Sequence, residues 1–302
     1  MRFIGPPPDS IYLAGPTAVG KSELVAALAE RLNGEIVGAD AFQVYRGLDL
    51  LTAKPDAATL ARAPHHLIGE IPLTESFDVA RYRALASERM SEIAQRGRTP
   101  IVVGGTGLYL RALTHGLADL PPPDEKLRTE LSSQPLDQLL ERLNELDPVA
   151  AKQIDRKNPR RVVRALEVCL ATGRPFSSFR EQWAETPQVR AVLLHRHREE
   201  LYARIDRRTI AMFAAGVVDE VKAVSEIGPT ASQAIGFREI RELLEGRLTE
   251  SECITRIQQQ TRNYAKRQLT WFRKEPHFRI VELIERETDE SQLERVCAAL
   301  NS

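Results

Sequence analysis

Cysteine is scarce in this chain: Cys169, Cys253 and Cys297 are the three in 302 residues. Each sits far from the others inside a helical apolar pattern, which excludes a disulfide framework and a metal knuckle and leaves three reduced, inert thiols. An excess of charge is missing as well, because 42 Lys and Arg stand against 42 Asp and Glu. Bulk electrostatics therefore draw the chain to no polyanion, and any nucleic-acid site must come from local segregation of cations. No apolar run approaches the roughly 20 residues of a membrane span, and Met1-Arg-Phe-Ile-Gly-Pro-Pro-Pro8 has no apolar region of signal-peptide length. A cytoplasmic protein with no membrane partner is expected. Internal repeats and low-complexity tracts are also absent, and the length suits one large or two modest domains with ample apolar content for a core.

The rest of the chain is organised around Ile11-Tyr-Leu-Ala-Gly15-Pro-Thr-Ala-Val-Gly20-Lys21-Ser22. A short apolar run ends at Gly15, and Gly20 precedes Lys21 and Ser22, which is the spacing of a phosphate-binding loop. Glycines at those places let successive N–H groups curl round one anion, and the following helix aims its unpaired amides at the same point. Gly15, Pro16, Thr17, Ala18, Val19, Gly20, Lys21 and Ser22 are thus candidate diphosphate-binding residues. Lys21 supplies a point charge, and the Ser22 hydroxyl is free to hold Mg²⁺. A glycine-rich turn with a chance Lys-Ser would not explain the strand-like Ile11 to Ala14 before it. Nor would it explain the helical recurrence of Leu24, Val25, Leu28 and Leu32 after it.

A second strand, Glu35-Ile-Val-Gly38, delivers Ala39-Asp40-Ala-Phe-Gln43-Val-Tyr45-Arg46 to the carboxyl edge where open parallel sheets bind ligands. By position alone Asp40 suits a helix cap as well as a general base or metal partner. Leu51 to Pro55 and Pro64 to Leu67 read as a loop-rich passage whose histidines lack a third ligand and are structural. Asp78 caps a helix carrying Val79, Tyr82, Leu85, Met90 and Ile93, which leads to a strand ending in Val103-Gly-Gly-Thr106-Gly-Leu-Tyr109. Hydrolytic nucleotide-binding proteins place an Asp at the end of such a strand; here Gly-Gly-Thr follows, which disfavours ATP hydrolysis.

After Leu120-Pro-Pro-Pro123 strand signals vanish. Asp124 to Ser132, Leu136 to Leu146 and Pro159 to Thr172 read as helices of an inserted domain, residues 121–187, within a catalytic core formed by residues 1–120 and 188–302. Arg156, Lys157, Arg160, Arg161 and Arg164 cluster there at a helix start. Acidic residues would be favoured at that place, so an anionic partner is implied over a merely solvated helix. Val189 to Leu194 returns as a strand, and the remainder reads as helical with a turn at Ala234 to Arg238. Between Cys253 and Lys274 no acidic residue occurs, while Arg256, Arg262, Lys266, Arg267, Arg273 and Lys274 flank an apolar stripe. Uncompensated cations among Gln, Tyr264 and Trp271 suit a phosphate backbone and exposed bases. The overall expectation is an α/β, P-loop NTPase-like parallel sheet flanked by helices, with an all-helical insertion. Two uses of the loop remain open on these grounds, a small-molecule kinase and a transferase with RNA as acceptor.

Taken in order, Gly15-Pro-Thr-Ala-Val-Gly-Lys-Ser22, Ala39-Asp40-Ala-Phe-Gln-Val-Tyr-Arg46, Thr52-Ala-Lys-Pro55, Pro64-His-His66, Val103-Gly-Gly-Thr-Gly-Leu-Tyr109, Asn158-Pro-Arg-Arg161, Gly236-Phe-Arg238 and Lys266-Arg-Gln-Leu-Thr-Trp-Phe-Arg273 resemble the successive motifs of the tRNA dimethylallyltransferases. The resemblance implies transfer of a dimethylallyl group from dimethylallyl diphosphate to the exocyclic amine of an adenosine beside the tRNA anticodon, with Mg²⁺, by a monomer. The related adenylate isopentenyltransferases share the loop, but the helical insertion argues against them. By the same resemblance Asp40 is the general base, and Lys21, Thr106 and Arg198 serve the diphosphate. The tRNA is met by Asp40, Ala41, Phe42 and Gln43, by Arg128 and Arg160, Arg161, Val162, Val163 and Arg164, by Gln233, Gly236, Phe237 and Arg238, and by Lys266, Arg267, Gln268, Trp271 and Arg273. Two departures stand out, Ala41 where the family has Ser and Leu51 where Gly is common.

Overall fold

The computed structural model describes residues 5–182, 189–284 and 287–301. The chain divides into two compact units, Met1–Thr114 with Thr186–Ser302, and His115–Glu185.

In the first unit six strands form one sheet: β1 (Ile11–Ala14), β2 (Gly34–Ala39), β3 (His65–His66), β4 (Thr99–Gly104), β5 (Arg190–His195) and β6 (Arg279–Glu282). Their spatial order is β3-β2-β4-β1-β5-β6, and every neighbouring pair is parallel. All residues of β1 and β2 are buried, as continuous apolar runs covered on both faces should be. The covering helices are α1 (Lys21–Arg31), α2 (Ala57–Arg62), α3 (Val79–Gln95) and α4 (Gly107–Thr114). Alternation along the strands sends Tyr12, Val37 and Val102 to one face, against Tyr82, Met90 and Ile93 of α3. Ile11, Leu13, Ile36 and Ile101 go to the other, against Leu24, Val25 and Leu28 of α1.

Sequence periodicity expected a loop at His65-His66 and helix throughout the last third, and the structure corrects both. β3 contributes only two residues, which pair with Ile36 and Val37. β6 is an edge strand with Val281 alone buried. Neither is long enough or buried enough to leave a period-2 signal.

The second unit has its own core. Helices α5 (Glu125–Ser132), α6 (Leu136–Leu146), α7 (Pro148–Gln153) and α8 (Pro159–Thr172) pack Leu131, Leu139, Leu143, Val162, Val163 and Leu166 together. Asn158 caps α8 by accepting from the Arg161 N–H at 3.4 Å. Glu167 is 1% exposed inside this helical unit. Arg128 Nη2 at 2.9 Å and Arg164 Nη1 at 3.3 Å converge on it. The chain continues in the first unit with α9 (Arg198–Ala214), α10 (Val217–Lys222), α11 (Phe237–Leu244), α12 (Glu250–Phe272) and α13 (Asp289–Asn301).

The order of the strands decides what their carboxyl ends can do. Ala39 of β2 and Ala14 of β1 both register with Gly104 of β4, and Ala14 registers with Leu193 of β5. Four adjacent strands therefore reach one line, where β2, β4 and β1 end and β5 runs on two residues to His195, and the segments that follow them meet over it. At the opposite edge, Glu35 is 3% exposed and receives Arg96 Nη2 at 2.7 Å, His66 Nε2 at 2.7 Å and Arg98 Nη1 at 3.4 Å. Burial alone would raise its pKa, but the hydrogen bonds from Arg96 and His66 outweigh burial and hold the carboxyl below the usual range. A group held low stabilises the fold above its unfolded pKa and loses that contribution as pH falls through the lower, folded value. Glu35→Gln should thus lower unfolding free energy by about 1–3 kcal/mol near pH 7. In urea titrations the deficit should shrink below about pH 4.

Candidate active site

The loop between β1 and α1 is shaped by close approaches. A Cβ on Gly15 would lie 2.9 Å from Val19 Cγ1 and 3.2 Å from the Leu194 carbonyl, and Gly20 adopts φ 105°, a left-handed conformation that favours glycine. Lys21 opens α1 and folds back, its Nζ donating to the carbonyls of Gly15 at 2.9 Å and Pro16 at 2.8 Å. Burial pushes the Lys21 pKa down to about 8; Asp40 opposes that shift and Arg208 adds to it. Ser22 lines the same cleft.

Three arginines approach the loop from the far side. Arg196 Nε donates to the Val19 carbonyl at 2.8 Å, Arg204 Nε to the Ala18 carbonyl at 2.9 Å, and Arg208 Nη2 to Thr17 Oγ1 at 2.8 Å. Arg196 is held in turn by Glu200. Sequence reasoning named Arg198, which the structure leaves exposed at the first turn of α9, 5.2 Å over the Tyr202 ring. The residues brought into the cleft are Arg204 and Arg208. Their signal was available, because Glu200, Arg204 and Arg208 recur every four residues and share one face of α9.

Asp40 follows β2 directly. Its Oδ1 accepts from the backbone N–H of Phe42 at 2.9 Å and Gln43 at 3.2 Å, so the carboxylate is at once the turn's cap and a group facing the cleft. Gln43 Nε2 ties the turn to the carbonyls of Thr52 at 3.1 Å and Ala53 at 2.9 Å. The Glu220 carboxylate of α10 fixes that second segment by accepting from the N–H groups of Leu50 and Leu51, both at 2.8 Å. Thr106 Oγ1 accepts from the N–H of Ala41 at 3.1 Å, and its own N–H donates to Ala39 at 3.1 Å. Ala41 thus performs its backbone role without a hydroxyl. Leu51 is 7% exposed among the apolar side chains beneath α11, close to Gly236.

Two cavities meet at these residues. The larger, about 370 Å³, runs over the phosphate loop and is walled by Lys21, Ser22, Asp40, Gln43, His65 and Arg208. The smaller, about 60 Å³, is lined by Phe42, Leu51, Met212, Ile235, Ile257 and Tyr264. Thr17, Asp40, Thr52 and Arg208 line both. An anion cradle therefore opens through Asp40 into a narrow slot of mixed lining, in which Thr209, Thr261 and Tyr264 stand among Phe42, Met212 and Ile257.

Residues 43–275 match the IPP transferase family. The tRNA dimethylallyltransferase 1 of Citrifermentans bemidjiense is 46% identical over 272 residues, 88% of this chain and 89% of that one. This chain belongs to that family. The tRNA dimethylallyltransferase of Geobacter sulfurreducens is 44% identical, covering 90% of this chain and 91% of that one. Among solved structures, the tRNA isopentenylpyrophosphate transferase of Bacillus halodurans has a TM-score of 0.71 at 37% identity, covering 96% of both chains. A eukaryotic dimethylallyltransferase acting on tRNA has a TM-score of 0.77 at 29% identity, covering 90% of this chain and 73% of that one.

The RNA contacts that the family motifs imply fall into two groups. Arg160, Arg161, Gln233, Arg238, Lys266, Arg267 and Arg273 are exposed. Val162, Val163, Gly236, Phe237 and Gln268 are buried, and Arg128 and Arg164 are engaged by Glu167. Trp271 is half-buried, packed so closely that a Cβ on Gly107 would fall 2.2 Å from its ring. The cations of α12 are also less free than the sequence implied, because Arg262 pairs with Asp206 at 2.6 Å and Arg256 with Glu242 at 3.4 Å. Those carboxylates come from α9 and α11, beyond the reach of a local sequence window.

The Lys21 pKa carries a pH consequence. A lysine pushed down to about 8 keeps its charge at neutral pH and loses it as pH rises through that value, well before an ordinary lysine near 10.4. The affinity of the free enzyme for dimethylallyl diphosphate should fall between pH 7.5 and 9.5, with proton uptake on binding near pH 8. Calorimetry in buffers of different ionisation enthalpy would register both, and an affinity flat to pH 10 would contradict the geometry.

Proposed function

We propose that this chain transfers the dimethylallyl group of dimethylallyl diphosphate to the N6 amine of an adenosine next to the tRNA anticodon, releasing diphosphate. The observation that carries the proposal is the junction of the two cavities. Dimethylallyl diphosphate on the loop would present its C1 toward Asp40 while an adenine reaches Asp40 from the smaller slot, so that nucleophile and leaving group lie on opposite sides of the reacting carbon.

In the reaction the N6 lone pair forms a bond to C1 as the C1–O bond breaks, and the bonding electrons leave with the diphosphate. Charge grows on that leaving group, so donors fixed around it provide most of the rate. Lys21, the loop amides, Arg208, Arg204 and Ser22 would supply these donors, and Thr106 supports them by holding the turn after Asp40 through the Ala41 N–H. The Ser22 hydroxyl opens into this cleft as a hard oxygen donor, which fits Mg²⁺, and it would hold the ion beside the diphosphate. Bound there, Mg²⁺ supplies further neutralisation of the departing charge. The amine becomes acidic only once alkylated, so Asp40 takes the N6 proton late, through the oxygen not occupied by the Phe42 and Gln43 amides. The acceptor base must first leave its stack in the anticodon loop, at a cost of a few kcal/mol. Exposed cations offset that: Arg160 and Arg161 of the insertion, Arg238 of α11, and Lys266, Arg267 and Arg273 at the end of α12.

Labelled dimethylallyl diphosphate with unmodified tRNA should give labelled RNA. Transfer of phosphate from ATP to a small metabolite, with RNA inert, would overturn the proposal. Asp40→Asn should slow single-turnover transfer by about 10²-fold or more while leaving both substrate affinities within a few-fold. Changing Arg160 and Arg161 together to Gln should weaken tRNA binding and lower the slope of log affinity against log salt by roughly one to two. An unchanged slope would make them solvated surface.

A further inference from the structure

One side chain of α12 lies where the RNA cannot touch it and where the diphosphate site depends on it. Gln268 is 5% exposed and takes its place in the buried stripe Cys253, Ile257, Thr261, Ala265, Gln268 and Phe272. Its amide spans two loops far away in sequence: Oε1 accepts from the Thr17 N–H of the phosphate loop at 2.9 Å, and Nε2 donates to the Gly105 carbonyl at 2.9 Å. A Cβ on Gly105 would fall 2.1 Å from Nε2, so the glycine is the space this amide occupies. One helical turn earlier, Tyr264 lies near Thr106 and Gln268.

We infer that Gln268 is a positioning residue of the diphosphate site, holding the Thr17 segment of the phosphate loop at a fixed distance from the Gly105-Thr106 segment. Thr17 is then gripped from both sides, its N–H by Gln268 and its hydroxyl by Arg208. With Thr17 fixed, the remaining loop amides keep their aim; with Gly105 fixed, Thr106 keeps its place beside Ala41. A buried amide with both ends bonded cannot read a base, so the motif residue acts through the loops and not through the RNA. The inference rests on the phosphate loop being the diphosphate site.

The test uses the full-length enzyme and three readouts: affinity for inorganic pyrophosphate with Mg²⁺, kcat at saturating tRNA, and affinity for an anticodon stem-loop RNA. Gln268→Met keeps length and volume while removing both hydrogen-bonding ends. Pyrophosphate affinity and kcat should each fall by about tenfold or more, and RNA affinity should stay within about twofold. Gly105→Ala reaches the same point from the other side by displacing Nε2 and should move the first two readouts in the same direction. If Gln268→Met does not fold, Gly105→Ala and Gln268→Glu, which keeps the acceptor for Thr17 and loses the donor for Gly105, carry the test. Unchanged pyrophosphate affinity and kcat in the folded variants would overturn the inference, as would a loss confined to RNA affinity. Lys21→Ala is titrated alongside. If it binds pyrophosphate normally the loop itself is misassigned, whereas weakened binding there with none in Gln268→Met removes only the positioning role.

Discussion

The line shared by four parallel strands is the constraint on which the site depends. Ala39, Gly104, Ala14 and Leu193 register across β2, β4, β1 and β5. Asp40, Thr106, the phosphate loop and Arg196 each follow within a few residues of that line. A one-residue slip in any strand would exchange its two buried faces and displace its functional segment together. Gly104 is where the tolerance is smallest, since a Cβ there would meet the Ala39 carbonyl at 2.1 Å. The sheet thus converts strand order into distances between chemical groups, and the two cavities follow from it.

Charge is distributed by a second rule. The chain has no net charge, yet Lys21, Arg204 and Arg208 point at one loop. Lys21 and Arg208 are held there by carbonyls and a hydroxyl, which keep a cation in place without neutralising it. Arg128 and Arg164 instead share the buried carboxylate Glu167, and three cations share Glu35. The arginines on Glu35 and Glu167 thus serve the fold, while Lys21 and Arg208 keep their charge toward the cleft. Burial depresses the Lys21 and Arg208 pKa values, which says that the cleft holds positive charge at some expense and gains when negative charge arrives.

How much was legible in the sequence follows from the range of each interaction. The phosphate loop, the cap Asp78, and helices α5, α6 and α8 were readable because spacing within some ten residues determines them. β3 and β6 were not, since one is two residues long and the other buries one residue. Position could not separate cap from base at Asp40, and the structure shows the cap hydrogen bonds and the cleft-facing position together. Arg208 was passed over because motif position, rather than the phase of α9, selected a single arginine; that phase turns Arg208 to the loop and leaves Arg198 over Tyr202. Gln268 was misplaced for a related reason. A glutamine beside Lys266 and Arg267 looks like surface, but it falls on the buried phase of α12, where a polar side chain is informative because it must be satisfied.

That phase also explains what the Gly-Gly-Thr-Gly run after β4 is for. A carboxylate in that position, as in hydrolytic relatives of the fold, would organise water beside the diphosphate. Here Gly105 and Gly107 leave room for α12 to press Gln268 and Trp271 onto the loop. The amide seals one end with hydrogen bonds to Thr17 and Gly105, and the indole covers the next turn. An allylic centre that loses its leaving group can be captured by any nucleophile within reach, so excluding water determines whether the amine or a hydroxide takes the carbon. The glycines therefore act through the helix they admit, because a side chain at either position would push α12 off the loop.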